Sequence, residues 1–241
     1  MLLKGKTALI TGAGRGIGRG IALAFAQQGC SIAAAARTAD EVNATVDLVK
    51  RAGGGALALL ADVANPQDVR AMADETLRAF GAIDILVNNA GYASFRPFTE
   101  LSLEEWQQTI AVNLTGVFLC CKAVVPSMIA RKSGRIINIS SVAGLKPLLN
   151  QSAYCASKHG LNGFSKVLAM ELREHHVAVH TICPGGVDTR LAQEAMPDRD
   201  KSDWMTPEDI AHACLYLATL SPRASTDELV VRRFNSAPIG G

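Results

Sequence analysis

The amino-acid sequence predicts a doubly wound α/β fold with a mostly parallel, seven-stranded sheet and helices on both of its faces. Short apolar runs alternate along the chain with longer segments of helical periodicity. Several of these runs, among them Ile85–Val87 and Arg135–Ile139, carry apolar residues at consecutive positions. Consecutive apolar positions are typical of parallel strands that helices cover on both sides. Their alternation with helices indicates the doubly wound arrangement.

Each predicted element follows from one of these two patterns. The apolar runs that predict strands are, in chain order, Thr7–Ile10, Ser31–Ala36, Ala56–Leu60, Ile83–Asn88, Arg135–Ser140, Val177–Cys183 and Glu228–Arg232. The segments of helical periodicity lie near Ile17–Gln28, Asp40–Arg51, Gln67–Phe80, Leu103–Arg131, Ala153–His175 and Pro207–Thr219. No internal repeat interrupts them, and the glycine run Gly53–Gly55 has the length of an ordinary loop. We therefore expect one domain over residues 1–241, with a variable segment at about Ala192–Met205.

The composition excludes several classes of protein. Hydrophobic residues make up 49% of the 241 residues and charged residues 19%, whereas disordered chains are poor in apolar residues and rich in charge. The net charge of +2 and the absence of a basic run argue against nucleic-acid binding. Six cysteines form neither a CxxC pair nor a zinc spacing, which predicts reduced thiols and no metal site.

The sequence also argues against membrane attachment. Lys4 and Lys6 interrupt the apolar N-terminus, so no signal peptide is predicted. The most apolar long stretch, 109–130, contains Asn113, Lys122 and Pro126, which are costly in lipid. A buried or half-buried helix in a cytoplasmic protein is the better interpretation.

A glycine-rich turn follows the first predicted strand. TALIT runs into the residues Gly12–Gly18 (GAGRGIG), and a predicted helix begins there. Glycines at this place let the backbone approach a pyrophosphate, and the helix N-terminus supplies amide donors. Gly12, Gly16, Ile17 and Gly18 are therefore predicted to contact a dinucleotide, although a glycine turn also simply joins strand to helix.

The second and third strands predict which dinucleotide is bound. An NAD site usually has an acidic residue at the end of the second strand, but Arg37 stands there. A guanidinium pairs with a 2′-phosphate, and Arg15 in the glycine turn is placed to approach the same group, so NADP(H) is predicted. Both arginines are alternatively solvated loop residues. Asp62, after the third strand, either accepts a hydrogen bond from adenine or caps the helix near Pro66.

Seven short motifs in chain order resemble the short-chain dehydrogenase/reductase family over nearly the whole chain. The motifs are TGAGRGIG (Thr11–Gly18), DV (Asp62–Val63), NNAG (Asn88–Gly91), Asn113, SS (Ser140–Ser141), YCASK (Tyr154–Lys158) and PGGVDT (Pro184–Thr189). The resemblance is to NADP-type, 3-oxoacyl reductase-like members. It implies a single Rossmann-type domain that binds NADP(H) and catalyses oxidation or reduction at a carbonyl or alcohol.

The resemblance assigns acid–base catalysis to Tyr154 and Lys158. The two residues are four apart in a predicted helix and so share one face. In the family the tyrosine exchanges the proton of the substrate oxygen, and the lysine holds the nicotinamide ribose. We expect the ammonium, together with the positive nicotinamide of the oxidised cofactor, to bring the pKa of the phenol closer to neutral pH.

Two further catalytic residues are implied by the same resemblance. Ser141 precedes Tyr154 by 13 residues and is expected to hydrogen-bond the substrate oxygen, with Ser140 as the competing candidate. Asn113 is expected to order a water molecule that connects Lys158 to solvent. The remaining cofactor contacts that the resemblance implies are Val63, Asn89, Gly91, Pro184, Gly185, Val187 and Thr189, in addition to Tyr154 and Lys158.

The chain departs from the family pattern in its C-terminal part. The entry to the last strand, Ser225–Glu228, lacks the usual threonine–glycine pair, and His180 replaces a common asparagine. We expect a packing change at His180. The predicted walls of the substrate pocket are mostly apolar: Tyr92, Phe95, Ala143, Leu148, Leu149, Met196 and Trp204.

The function that the sequence favours is NADPH-dependent reduction of a ketone or aldehyde. A 3-oxoacyl thioester reductase and an NAD(P)-linked secondary alcohol dehydrogenase are the enzymatic alternatives, and an NADP(H)-sensing regulator is the non-enzymatic one. The expected partners are a small carbonyl or alcohol substrate and further copies of the chain in a homodimer or homotetramer, without nucleic acid or membrane.

Overall fold

The computed structural model of the chain describes residues 1–239 and contains one seven-stranded sheet. The strands are β1 (Thr7–Thr11), β2 (Ser31–Ala36), β3 (Ala56–Leu60), β4 (Ile85–Asn88), β5 (Gly134–Ile139), β6 (Val177–Pro184) and β7 (Glu228–Val231). Their order is β3-β2-β1-β4-β5-β6-β7, and every neighbouring pair is parallel. The predicted doubly wound fold is confirmed, and the sheet is fully rather than mostly parallel. Gly240 and Gly241, the end of the predicted domain, lie outside the described residues.

Eight α-helices connect the strands within the described part of the chain. They are α1 (Gly16–Gln27), α2 (Ala39–Arg51), α3 (Pro66–Phe80), α4 (Leu103–Ile110), α5 (Gly116–Arg131), α6 (Ser152–Leu172), α7 (Arg190–Ala195) and α8 (Pro207–Ala218). Helices α1, α2 and α8 cover one face of the sheet, and α3, α5 and α6 cover the other. Successive residues of β1 point to opposite faces of the sheet. Ala8 and Ile10 pack in the core under α1, α2 and α8, and Leu9 packs in the core under α3, α5 and α6.

Local chemistry explains where the helices begin and end. The side chain of Asn65 accepts hydrogen bonds from the first turn of α3, and Pro66 occupies its first position. Gly81 ends the same helix with a φ of 77°. A capping box between Ser102 and Glu105 begins α4.

The largest differences from the predicted secondary structure lie in two segments. The predicted helix Leu103–Arg131 contains a π-helical turn at Ala111–Thr115, which separates α4 from α5. Such a turn inserts one extra residue into a helix and often lies at a functional site. The second difference is α7, a short helix at the start of the segment predicted to be variable.

The run Leu103–Arg131 has the length and mean hydropathy of a membrane-spanning helix. Its most apolar window is 44% buried inside the protein. The buried side chains of α5, including Val117, Cys120 and Val124, contact the sheet core. The same run thus serves as a core helix of this fold.

Candidate active site

A cleft of about 460 Å³ opens at the carboxyl ends of the strands. In doubly wound sheets this edge holds the ligand crevice, where the order of the strands reverses. The cleft is lined by the following predicted site residues: Gly12, Arg15, Gly16, Ile17, Arg37, Asp62, Val63, Asn89, Gly91, Ser141, Tyr154, Lys158, Pro184, Gly185, Val187 and Thr189. Of the predicted site residues, only Gly18 and Asn113 do not line the cleft. The sheet thus brings together residues that are far apart in sequence.

The glycine turn between β1 and α1 leaves no room for a side chain at Gly12 or Gly18. Gly12 has a φ of 63°, and a Cβ there would lie 2.8 Å from Ala90 Cα. A Cβ at Gly18 would overlap the carbonyl oxygen of Gly12. Asn89 ties the turn to β4, because its Nδ2 donates to the Thr11 and Gly12 carbonyls at 2.9 and 3.1 Å. A bare backbone before a helix N-terminus fits the pyrophosphate of a dinucleotide.

The end of the cleft that Arg15, Arg37 and Asp62 line, called here the adenosine end because the sequence predicts the adenosine of the cofactor there, holds three ion pairs. Arg15 Nη1 lies 3.2 Å from Glu41 Oε1, and Arg37 Nη1 lies 3.8 Å from Asp62 Oδ2. Arg190 Nη1 is also 3.2 Å from Glu41 Oε1. Glu41 is an acidic residue at this end of the cleft that the sequence did not lead us to expect. The acidic first turn of α2, four residues after Arg37, was the available signal.

The structure decides between the two expectations for Asp62. Asn65, and not Asp62, caps α3. Asp62 Oδ1 instead accepts a hydrogen bond from the amide of Ala64 at 2.9 Å, and its side chain lines the cleft. The capping alternative is therefore wrong, and the position beside the cleft remains compatible with an adenine contact.

Tyr154 and Lys158 lie one turn apart on α6, at the bottom of the cleft. Lys158 Nζ donates to the carbonyl of Ile139 at 2.9 Å and lies 5.6 Å from the centre of the Tyr154 ring. Phe95 packs edge-on against this ring, with 5.4 Å between the centroids. The carbonyl at the end of β5 thus fixes the ammonium beside the phenol.

Burial controls the protonation of both groups. It raises the pKa of Tyr154 to about 12, against the opposing effect of a hydrogen bond with Ser141. It lowers the pKa of Lys158 to about 8. In the protein alone, removal from water is the largest influence on the pKa of the phenol, and the lowering expected with the oxidised cofactor bound remains a prediction. At pH 7 the site holds a neutral phenol beside an ammonium.

The two serines after β5 have different surroundings. Ser140 is 4% exposed, and its hydroxyl lies 3.5 Å from the Lys158 carbonyl. Ser141 begins a turn, accepting a hydrogen bond from the Ala143 amide at 3.1 Å, and its hydroxyl meets the phenol of Tyr154. Ser141 is therefore the better placed of the two to share a ligand oxygen with Tyr154.

Asn113 lies fully buried in the π-helical turn behind the catalytic side chains. Its Oδ1 accepts from the Tyr92 amide at 2.8 Å, and its Nδ2 donates to the Tyr92 carbonyl and to Ser157 Oγ at 2.9 and 3.1 Å. Ser157 in turn donates to the Tyr154 carbonyl at 2.8 Å. Asn113 therefore joins the loop after β4 to the turn of α6 that carries the tyrosine. The expected water contact remains a prediction.

The outer part of the cleft is formed by the segment after β6. Thr189 caps α7 and lies beside Gly16, while Gly186 packs against the Trp204 ring. Four of the predicted substrate walls line the cleft, namely Phe95, Leu148, Met196 and Trp204. Three predicted walls do not: Tyr92 packs into the core, Ala143 is buried and Leu149 is 89% exposed. Two residues absent from the prediction, Arg199 and Arg233, also line this part.

His180, for which the sequence predicts a packing change relative to the family, contacts the entry to β7. It is fully buried in β6, and its Nδ1 lies 2.7 Å from the carbonyl oxygen of Thr226. Burial lowers the pKa of its imidazole. His180 therefore fixes the entry to β7 and takes no part in lining the cleft.

Comparisons with known proteins agree with this geometry. The family described as short chain dehydrogenase matches residues 6–200. A 3-oxoacyl-[acyl-carrier-protein] reductase of Synechocystis is 40% identical over 223 residues, 90% of either chain. D-threitol dehydrogenase of Mycolicibacterium smegmatis is 41% identical over 227 residues, which are 90% of this chain and 87% of that protein. The crystal structure of a metagenomic short-chain oxidoreductase in complex with NADP superposes with a TM-score of 0.86 at 37% identity, covering 98% of this chain and 100% of the other.

Proposed function

The chain belongs to the short-chain dehydrogenase family, whose members are oxidoreductases that act on hydroxyl and carbonyl groups, and from this premise we propose that it is an NADPH-dependent carbonyl reductase. The observation on which the proposal rests is the pair formed by half-buried Tyr154 and buried Lys158, which holds a protonated phenol at neutral pH in the cleft. A protonated phenol is the form needed to donate a proton to a carbonyl oxygen.

The proposed cofactor is NADP(H). The bare glycine turn fits the pyrophosphate, and Arg15 and Arg37 offer guanidinium groups at the adenosine end. Asp62, Val63, Asn89 and Gly91 would line the adenine and ribose side. Residues Pro184, Gly185, Val187 and Thr189 would face the nicotinamide. The related structure solved with NADP supports the choice.

The residues of the chain act on the substrate oxygen and position its carbon. When bound, the reduced nicotinamide supplies the hydride that reaches the carbonyl carbon. Tyr154 donates the proton to the carbonyl oxygen, and Ser141 donates a hydrogen bond to the same atom. The ammonium of Lys158, fixed by the Ile139 carbonyl, stabilises the phenolate that remains until solvent returns its proton. Asn113 keeps α6 in register with the loop after β4.

The proposal also includes the domain organisation, the location and the assembly of the protein. The whole chain, residues 1–241, would form one cofactor-binding and catalytic domain in the cytoplasm. It would assemble as a homodimer or homotetramer, since α4, α5 and α6 carry apolar side chains exposed to solvent, among them Trp106, Phe118 and Met170. The substrate would be a small molecule, without nucleic acid or membrane as a partner.

Two neighbouring activities are favoured by specific relatives. The Synechocystis protein, named a 3-oxoacyl-[acyl-carrier-protein] reductase, favours reduction of a 3-oxoacyl thioester. D-threitol dehydrogenase favours oxidation of an alcohol. Both use the same hydride and proton transfers, so the substrate distinguishes them.

The test is the loss of reduced-nicotinamide absorbance with NADPH and, separately, with NADH. The substrate panel contains acyclic ketones, cyclic ketones, aldehydes, diketones and a 3-oxoacyl thioester, and a matching alcohol panel is run with NADP⁺. We expect turnover of at least one carbonyl with NADPH and much less with NADH. Turnover confined to the thioester or to the alcohols would replace the proposal by the corresponding alternative. Binding of NADPH without any turnover would favour a cofactor-sensing protein.

A further inference from the structure

A carboxylate that belongs to none of the seven motifs reaches into the cofactor cleft. Glu41 lies in the first turn of α2, and its Oε1 is 3.2 Å from Arg15 Nη1 and 3.2 Å from Arg190 Nη1. Its Cβ packs against the glycine turn so closely that a Cβ at Gly14 would come within 2.9 Å of it. Glu41 is thus held beside the turn by packing as well as by charge.

Glu41 is less exposed than either of its partners. Its side chain is 26% exposed, compared with 41% for Arg15 and 60% for Arg190. A charge pair that is partly removed from water is screened less than one at the open surface. The carboxylate therefore has a stronger influence on the guanidinium of Arg15 than an ordinary surface ion pair would have.

The two arginines at the adenosine end are not equally available to a ligand. Arg37 is 61% exposed, and its only ion pair within 4 Å among the described residues is with Asp62, at 3.8 Å. Arg15 has a carboxylate at hydrogen-bond distance. A phosphate that approaches Arg15 must share it with Glu41 and is repelled by the same carboxylate. A ribose hydroxyl in that place is uncharged and meets no such repulsion.

We propose that Glu41 is a specificity-determining residue, which limits the preference for NADP(H) over NAD(H) by competing with the 2′-phosphate for Arg15. The inference rests on the proposed cofactor, and it identifies a residue that weakens the binding of NADP(H) but not of NAD(H). The alternative is a supporting role, in which Glu41 holds Arg15 in the orientation that binds the 2′-phosphate. The two roles predict effects of opposite sign when the carboxylate is removed.

The experiment measures dissociation constants of NADP⁺ and NAD⁺ for Glu41→Gln by calorimetric titration. Glutamine keeps the size of the side chain and removes its charge. We expect NADP⁺ to bind about 3- to 10-fold more tightly at low ionic strength, because the exposed pair and the repulsion are each modest, and NAD⁺ to change by less than about twofold. The gain should shrink at about 1 M salt, where charges are screened within about 3 Å.

Two controls separate the effect from general changes in the cleft. Glu194→Gln removes the other carboxylate partner of Arg190, at 2.7 Å from its Nε, and leaves Arg15 untouched. It should alter neither dissociation constant. In an Arg15→Ala background, Glu41→Gln should lose most of its gain for NADP⁺, as a double-mutant cycle reports coupling between the two side chains.

Weaker binding of NADP⁺ to Glu41→Gln, or an equal change for both cofactors, would overturn the inference. Glu41→Ala should shift the ratio of the NADP⁺ and NAD⁺ dissociation constants in the same direction. This second variant keeps the test valid if Glu41→Gln fails to fold. Failure of the proposed function is distinguishable, because binding is measured without turnover. Wild-type protein that prefers NAD⁺ would refute the proposed cofactor, whereas a ratio unchanged by Glu41→Gln refutes the role of Glu41.

Discussion

The two ends of the cleft use charged side chains in different ways. At the catalytic end, Lys158 is 4% exposed. Removal from water raises the pKa of Tyr154 and lowers the pKa of Lys158, and both shifts favour the neutral form of the side chain. At the adenosine end, the side chains of Arg15 and Arg37 are 41% and 61% exposed and lie 3.2 and 3.8 Å from the carboxylates of Glu41 and Asp62. The catalytic end relies on a half-buried phenol and a buried ammonium, and the adenosine end relies on charges that water and salt attenuate.

This difference determines how large an effect each end can have. Electrostatic effects grow as the surroundings become less polar, so one proton at the buried end has a large influence on rate. Exposed ion pairs contribute about 0–1 kcal/mol to stability or binding. Substitutions at the adenosine end can therefore change cofactor affinity only modestly. We therefore expect substitutions at the catalytic end to change turnover by orders of magnitude. Substitutions at the adenosine end should change cofactor choice by about tenfold.

The largest effect is expected for Tyr154→Phe, which removes one oxygen and keeps the ring that packs on Phe95. Loss of the proton donor should lower kcat about 10²- to 10⁴-fold, the usual contribution of general acid–base catalysis. The dissociation constant of NADPH should change by less than about threefold. Steady-state rates and calorimetric titration of the same preparation measure the two quantities.

A matched control for this substitution is Tyr216→Phe on α8, whose side chain is 53% exposed and lies outside the cleft. It should retain wild-type kcat. Wild-type turnover by Tyr154→Phe would show that another group donates the proton, and the contrast between the two ends would lose its basis.

The next effect concerns pH and follows from the direction of the Tyr154 shift. Reduction needs the phenol protonated, and with a pKa of about 12 it stays protonated throughout the neutral range. Oxidation needs the phenolate, whose fraction rises tenfold for each pH unit below that pKa. Between about pH 6 and about pH 7.5, where Lys158 with its pKa of about 8 stays mostly charged, we expect kcat/KM for alcohol oxidation to rise about tenfold per unit. For carbonyl reduction it should stay level.

Initial rates in both directions, from one enzyme preparation in overlapping buffers, test this asymmetry. A reduction rate that falls tenfold per unit across the same range would place the pKa of the working phenol below pH 6. Burial would then no longer be the dominant influence on the catalytic end.

The sequence predicted the catalytic end well because local rules determine it. Tyr154 and Lys158 are four residues apart, so any helix places them on one face. The apolar strands required burial on both sides, which places their carboxyl ends at one edge. The fold and the shared helix face follow from these two regularities, whereas most of the residues lining the cleft were identified through the resemblance to the family.

Other features depend on tertiary contacts that the pattern does not contain. An acidic residue in a first helical turn ordinarily complements the helix dipole, so Glu41 gave no sign of its contact with Arg190, 149 residues away. The π-helical turn at Ala111–Thr115 adds one residue to a helix without breaking its apolar pattern. The pKa of Tyr154 required the depth of the cleft, which spacing alone does not give.

The smallest effect is expected for Arg37→Ala at the adenosine end. Removing an exposed guanidinium should raise the dissociation constant of NADPH about tenfold at low ionic strength, the upper range for a charge-assisted contact open to solvent. NADH has no 2′-phosphate, so its dissociation constant should change by less than about twofold. At about 1 M salt, where the Debye length is about 3 Å, the loss for NADPH should fall to about threefold or less.

Arg51→Ala, at the exposed end of α2, is the matched control, because it removes the same charge about 14 residues further along the chain and outside the cleft. Equal weakening of NADPH and NADH by Arg37→Ala would show that Arg37 supports the shape of the cleft and does not recognise phosphate. A loss for NADPH that persists at high salt would show a desolvated contact. The adenosine end would then resemble the catalytic end, and the exposure of Arg37 in the free protein would be no guide to its surroundings in the complex.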